Sequence, residues 1–157
     1  KAVNLADYLP LDSFEHVATG PFTHLYPKKG YTETAYKILK TVPHISVYRK
    51  DELPERLHFG SSPRIGELVL LADLGTQIFF NPQGIPADFL HAGHGFDNKH
   101  PEMYAVFKAV GPDFKAGRHL SAPIPNITLY PLVCKILGIT PGEHDADESL
   151  AETLIKR

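Results

Sequence analysis

Apolar positions along this chain follow two different periods, and the switches between them outline its elements. From Thr32 to Val42, the residues Ala35, Ile38, Leu39 and Val42 fall on one stripe at the roughly 3.6-residue helical period. Thr32 is the expected cap of this helix, Glu33 suits its first turn and Lys40 its last, and Pro43 stops it. A second helix is predicted over Leu129 to Leu137, with Thr128 as cap and Pro131 tolerated in the first turn. Leu129, Leu132, Val133 and Ile136 form its buried stripe, and Gly138 ends it.

Between the helices the pattern is that of short strands. "VNLADYL" reads as a strand leading into a short helix or turn. Val17 to Tyr26 is extended and broken at Gly20-Pro21, "PKKG" is a turn, and "HISVYRK" is a strand by its β-branched and aromatic content, with "KDELPERLHF" beginning a short helical turn or loop after it. "ELVLLADLGTQIFF" places two apolar runs around Asp73-Leu74-Gly75, the pattern of a β-hairpin covered on both faces. A long loop rich in proline and glycine, "NPQGIPADFLHAGHGFDNKHPEM", then leads to "YAVFKAVGPDF". Loops of that length inside a compact domain usually carry function. "TPGEHDADESLAETLIKR" is an acidic tail with at most a short terminal helix. Interleaved strands and helices indicate an α/β domain, α+β in appearance if it stands alone.

Composition narrows the partners. The 157 residues are read as one domain, long enough to bury roughly two thirds of the unfolded surface. With 16 Lys+Arg against 18 Asp+Glu, there is no electrostatic case for binding a nucleic-acid polymer. Cys134 is the single cysteine, which excludes an internal disulfide and any multi-cysteine metal cage; its apolar neighbours point to burial. No apolar run approaches the length needed to cross a bilayer, so no membrane partner is expected.

Chemistry concentrates in the stretch "DFLHAGHGFDN". Neutral imidazole is a good zinc ligand, and flanking glycines let the backbone bring a ring close to an ion. His91, His94, Asp97 and His100 would nevertheless have to wrap one ion from a single loop, with no helix imposing their spacing. From the residues alone, a metal site and a set of exposed or hydrogen-bonded histidines both remain open.

A wider pattern bears on the choice. The string "GHGFDN", followed by "PEMYAVFKAVGPDFKAG" and "NITLYPLVCKILGI", resembles the C-terminal part of the nucleotide pyrophosphatase/phosphodiesterase family, within the alkaline phosphatase superfamily. That family has a His-Gly-Tyr-Asp-Asn block, a Met-x-Ala-x-Phe strand, a Gly-Pro-x-Phe turn and an Asn-Ile-x-x-Tyr helix ending in Leu-Gly. All four stand here in order, apart from Phe96 in place of the tyrosine. "VNLADYL" and "VYRKDELPERLHFGSSPRIGELVLLAD" match upstream, so the resemblance covers nearly the whole chain.

The resemblance implies an alkaline phosphatase-like fold and a two-zinc phosphohydrolase. A threonine or serine nucleophile between the metals attacks a phosphodiester or pyrophosphate, and water releases the phosphoryl group. His94 matches the family's zinc-ligating histidine; His91 does not fall on a ligand position. Asp97 and Asn98 match residues that shape the loop or support the ligand rather than act catalytically, and this chain is expected to hold no catalytic residue. The nucleophile and the other ligands lie N-terminal to the matched portion in the family, and no Asp-His pair occurs here. The expectation is therefore a C-terminal section, residues 1–157, of a longer enzyme, either a fragment or a processed product. By itself it would be inactive and would not hold zinc, because one imidazole cannot bind the ion usefully.

Small-molecule phosphodiesters or nucleotides are then the expected substrates of the parent protein. A periplasmic or extracellular location is expected for it, and self-association through the face left without its N-terminal section. Two alternatives stand beside this reading: a non-catalytic binding module related to the enzyme, and a phosphomonoesterase or phosphonate hydrolase of the same superfamily. His16, His24, His44, His58, His119 and His144 show no mutual spacing and are read as structural or exposed. Thr23 beside His24 does not match the family's nucleophile motif, and Arg64 is read as a framework residue paired with a carboxylate such as Glu67 or with a backbone carbonyl.

Overall fold

The computed structural model describes residues 1–88 and 93–156, in two compact units, 1–103 and 104–157. Strands of both orientations, with flanking helices, make this an α/β fold, as expected from the sequence.

In the first unit, strands β2 (Phe14–Val17), β3 (Phe22–Pro27), β4 (Ile45–Arg49) and β5 (Leu68–Ala72) form an antiparallel sheet in the order β2-β3-β5-β4. All five residues of β5, Leu-Val-Leu-Leu-Ala, are buried, since this strand is paired on both edges and covered on both faces. β3 instead alternates, burying Thr23, Leu25 and Pro27 and leaving the intervening residues half-exposed. Gly66, just before β5, passes so close to β3 that a Cβ there would lie 2.3 Å from the Leu25 carbonyl oxygen. Only glycine fits that approach.

The hairpin expected from Glu67 to Phe80 does not form. The turn is present, closed by Thr76 N–H donating to the Asp73 carbonyl at 2.9 Å. However, β5 pairs with β3 and β4, while β6 (Gln77–Phe79) crosses to a second sheet and lies parallel to β1 (Ala2–Asn4). Both edges of β5 are already taken, which leaves β6 no edge there to join. Asn4, at the end of β1, stitches the small sheet: its side-chain amide donates to the Asn81 carbonyl and its oxygen accepts from the Asn81 N–H, both at 3.0 Å. The same oxygen accepts from Ala6 N–H at the start of a 3₁₀ turn, Leu5–Asp7.

Helix α1 (Thr32–Leu39) buries Ala35 and Leu39 in a core that also takes Phe14, Leu25, Val47, Leu68, Leu70, Ile78 and Phe80. It is shorter than predicted, because Thr41 and Val42 close with tighter bonds to Ile38 and Leu39, yet Val42 is still buried. Thr32 is not its cap: its hydroxyl donates to the Glu67 carboxylate. Arg49 of β4 joins the helix, with its guanidinium bidentate to Glu33 at 2.9 and 2.8 Å and stacked 3.8 Å from the centre of the Tyr36 ring.

In the second unit, α2 runs from Leu129 to Leu137, as the periodicity predicts, and α3 from Glu148 to Leu154. Thr128 does not cap α2, because a 3₁₀ turn, Asn126–Thr128, already gives it helical backbone angles. The buried face holds Pro131, Leu132 and Cys134, with Leu129 and Ile136 packed partly against the core; Val133 is 52% exposed rather than part of the stripe. Gly138 takes the left-handed conformation that ends the helix, and Ile139 N–H donates to the Cys134 carbonyl at 2.9 Å. Asp147 caps α3 through Ser149 N–H at 2.9 Å, and Lys115 Nζ donates to the carbonyls of Glu152 and Thr153 near its other end. Leu132, Ala151, Leu154 and Ile155 form the core of this unit. The strand that the resemblance implies at Met-x-Ala-x-Phe, Met103 to Phe107, is not there: Met103 ends a 3₁₀ turn and residues 104–110 are irregular, with Val106 94% and Val110 84% exposed. Apolar content does not make a strand without an edge to pair with.

Replacing fully buried Leu70 by alanine is expected to cost about 2–5 kcal/mol of stability, read as a lower urea midpoint. Val133→Ala, on the exposed side of α2, should stay within about 0.5 kcal/mol of wild type.

Candidate functional site

The sequence places its chemistry in one loop, and residues 93–100 of that loop are described; His91 lies outside the described residues. The loop is held at several points. Gly93 runs tight against β6, where a Cβ would come 2.8 Å from the Gln77 side-chain nitrogen. Gly95 takes φ +90°, a conformation that L side chains rarely adopt, and Phe96 then packs on the core of the first unit. Between those anchors His94 is exposed, and among the described residues its imidazole has no hydrogen-bond partner.

Asp97 is in the opposite situation. It is only 7% exposed, and Arg56 grips it with both ends of the guanidinium, Nη1 to Oδ1 at 2.8 Å and Nη2 to Oδ2 at 2.6 Å. Lys99 N–H donates to Oδ1 at 3.0 Å, and Lys99 Nζ stands 3.8 Å from Oδ2. Arg56 Nη1 also donates to the Asn98 side-chain oxygen at 3.1 Å, and His100 N–H closes the turn on the Asp97 carbonyl at 3.1 Å. The hydrogen bonds from Arg56 hold the Asp97 carboxyl down at about 2, aided by the Lys99 N–H, against the opposing effect of burial. Asp97 raises the Arg56 value in return.

Arg56 is supplied by a 3₁₀ turn, Glu55–Leu57, that follows β4 and is fixed by Leu57 N–H to the Pro54 carbonyl and His58 N–H to the Glu55 carbonyl, both 2.9 Å. His58 ends that turn in the left-handed conformation, φ 47°. No local sequence signal marks Arg56 as part of the site, since its partner is 41 residues away.

With respect to a metal, the donors differ. An exposed imidazole with no hydrogen-bond partner among the described residues fits one coordination position; a carboxylate with both oxygens held by a guanidinium does not fit as a ligand in this arrangement. His100 contributes its amide, and among the described residues no three His, Cys, Asp or Glu side chains gather as a metal cage.

Other residues weighed in the sequence have structural surroundings. His24 Nδ1 accepts from Gly66 N–H at 3.0 Å, so the ring is neutral, and burial followed by the nearby His16 lowers its pKa. Thr23 is completely buried, out of reach of any substrate. Arg64 and Glu67 do not pair as expected: the Arg64 carbonyl accepts from Tyr26 Oη at 2.6 Å, and Glu67 takes the Thr32 hydroxyl.

Because the Asp97 carboxyl sits at about 2 against an ordinary 3.8, its ionised form stabilises the folded state. That contribution is complete above about pH 4 and is lost as pH falls through about 2. In acid unfolding followed by circular dichroism, Asp97→Asn should be less stable than wild type at pH 7, with the difference closing between about pH 4 and pH 2.

Known proteins resemble this chain over most of its length. Residues 1–97 match the family model for type I phosphodiesterase / nucleotide pyrophosphatase. Ectonucleotide pyrophosphatase/phosphodiesterase family member 7 of Mus musculus is 35% identical over 91% of this chain and 32% of its own length. The bis(5'-adenosyl)-triphosphatase of Mus musculus is 30% identical over 99% of this chain and 33% of its own. In structure, the chain is similar to human ectonucleotide pyrophosphatase/phosphodiesterase 5, with a TM-score of 0.92 at 31% identity, covering 99% of this chain and 41% of that one. An inactive variant of the murine counterpart, solved with AMP, gives 0.90. The chain spans about a third of the length of the curated relatives it matches. With its first 97 residues fitting the family model and nearly all of it superposing on a solved relative, this chain belongs to the type I phosphodiesterase / nucleotide pyrophosphatase family.

Proposed function

We propose that the protein to which this chain belongs is a zinc-dependent phosphodiesterase or nucleotide pyrophosphatase, and that His94 supplies one bond to zinc. The observation that carries the reading is His94 itself. It stands at the histidine of the family's His-Gly-Tyr-Asp-Asn block, exposed and, among the described residues, without a hydrogen-bond partner, on a loop otherwise tied down. Nucleotide substrates are supported by one relative being named a bis(5'-adenosyl)-triphosphatase and by the AMP complex of another. The naming of several relatives as ectonucleotide enzymes supports an extracellular site of action.

When bound, a zinc pair lowers the pKa of a hydroxyl nucleophile and neutralises charge on the phosphoryl oxygens. The task of this chain in such a site is positional. His94 offers an imidazole nitrogen from a fixed backbone. Gly93 passes close against the Gln77 side chain, Gly95 takes a backbone conformation that L side chains rarely adopt, and Asp97 and Asn98, in the grip of Arg56, keep the loop in place. The hydroxyl nucleophile and the remaining ligands are assigned to the two thirds of the relatives' length that this chain does not match. Phe96 turns its ring to the core and offers no hydroxyl to the site.

In the full-length protein, His94→Ala should lower zinc content and hydrolysis of bis(p-nitrophenyl) phosphate together; unchanged turnover with a full metal complement would refute the assignment. Wild-type turnover should vanish with a chelator and return with zinc. The 157-residue chain alone should show no zinc-restorable hydrolysis, because metal affinity comes from several ligands organised together.

A further inference from the structure

We infer that Arg56 is the positioning residue of the zinc ligand, holding the His94 loop to the sheet through its two-pronged grip on Asp97 and its third bond to Asn98. The inference rests on the proposed role of His94 and goes beyond it, because it assigns the supporting group to a distant turn of the chain.

Three observations carry it. The guanidinium uses both ends on one carboxylate, at 2.8 and 2.6 Å, the planar fork geometry that fixes orientation as well as distance. Its third contact, Nη1 to the Asn98 oxygen at 3.1 Å, falls on the next residue, so two successive side chains of the loop are referred to one rigid group. Lastly, Asp97 is 7% exposed while His94, three residues earlier, is exposed, so the loop has a buried foot and an open tip. A ligand at such a tip needs its foot fixed, since losing a group that orients a metal ligand typically lowers metal affinity by about 10–100-fold. Arg56 is itself anchored, on a 3₁₀ turn directly beyond β4.

Arg49 provides an internal control. It makes a bidentate pair of the same kind with Glu33, but its partners are Glu33, Glu52 and the Tyr36 ring, on the side of α1. Losing that pair removes a bidentate ion pair of the same geometry, on a more exposed carboxylate, without touching residues 93–98.

The test uses the full-length protein, with zinc itself as the probe. Zinc affinity is measured by competition with a chelator, and amide hydrogen exchange is followed by mass spectrometry in the zinc-free protein, for wild type, R56Q, R56K, D97N, R56Q/D97N, R49Q and H94A. Expected results are a loss of zinc affinity of about 10–100-fold in R56Q and in D97N. R56K should fall between R56Q and wild type, because lysine keeps the charge but not the fork. The double variant should be no weaker than the worse single one, as for two residues acting through one contact. Exchange should quicken at residues 95–99 in R56Q and not in β5, and R49Q should match wild type in both readouts.

Wild-type zinc affinity and loop exchange in R56Q, while H94A loses zinc, would overturn the positioning role and leave the ligand assignment standing. Full zinc binding in H94A would overturn the ligand assignment and this inference with it. Loss of protection throughout β5 in R56Q would show that Arg56 serves the whole fold rather than the loop, and would also overturn the inference.

Discussion

The pairing of β5 on both edges is the constraint from which the first unit follows. Five consecutive apolar residues can be buried together only if their backbone groups are satisfied by neighbours on either side, and β4 provides them along the whole strand and β3 from Leu68 to Leu71. Once β5 is so enclosed, the chain that leaves it must find another partner, and β6 pairs with β1. The turn that bears Arg56 begins beyond the end of β4, and the loop that bears His94 begins beyond β6. The site loop is therefore hung between the two sheets of one core: Phe96 enters that core, Gly93 runs along β6, and Asp97 reaches back to the turn after β4.

The electrostatics of the loop serve placement. A carboxylate that is nearly buried would ordinarily resist ionisation, yet the guanidinium and the Lys99 N–H reverse that preference. With both oxygens occupied, Asp97 is removed from the pool of metal donors, and His94 is left as the chemically available group of the block. This division of labour is sharper than composition suggests, since all four of His91, His94, Asp97 and His100 are ligand-type residues.

The sequence was most informative where structure is local. Pro43 and Gly138 bracket helices whose apolar spacing is sufficient to place them, and α2 has the predicted limits. Caps were misjudged because a threonine hydroxyl has several competing partners: Thr32 turns to Glu67, and Thr128 is already inside a 3₁₀ turn. Val133 was misplaced by one side of the helix, since an apolar stripe four residues wide does not say which edge faces the core. The supposed hairpin failed for a different reason, because two adjacent apolar runs with a good turn look the same whether they pair with each other or with distant strands. His94 was singled out by its place in an ordered series of motifs, not by spacing among histidines. Arg56 left no trace in the pattern, because nothing near it in sequence needs a positive charge, and Asp97 lies 41 residues on.

The parallel pairing of β1 with β6 also has a consequence for how the molecule comes into being. Ala2 lies beside Gln77, so the small sheet closes a loop of about 75 residues that contains the entire antiparallel sheet. Pairing β1 with β6 is thus a long-range contact, made at a loop-closure cost that grows only slowly with the length of the segment it encloses.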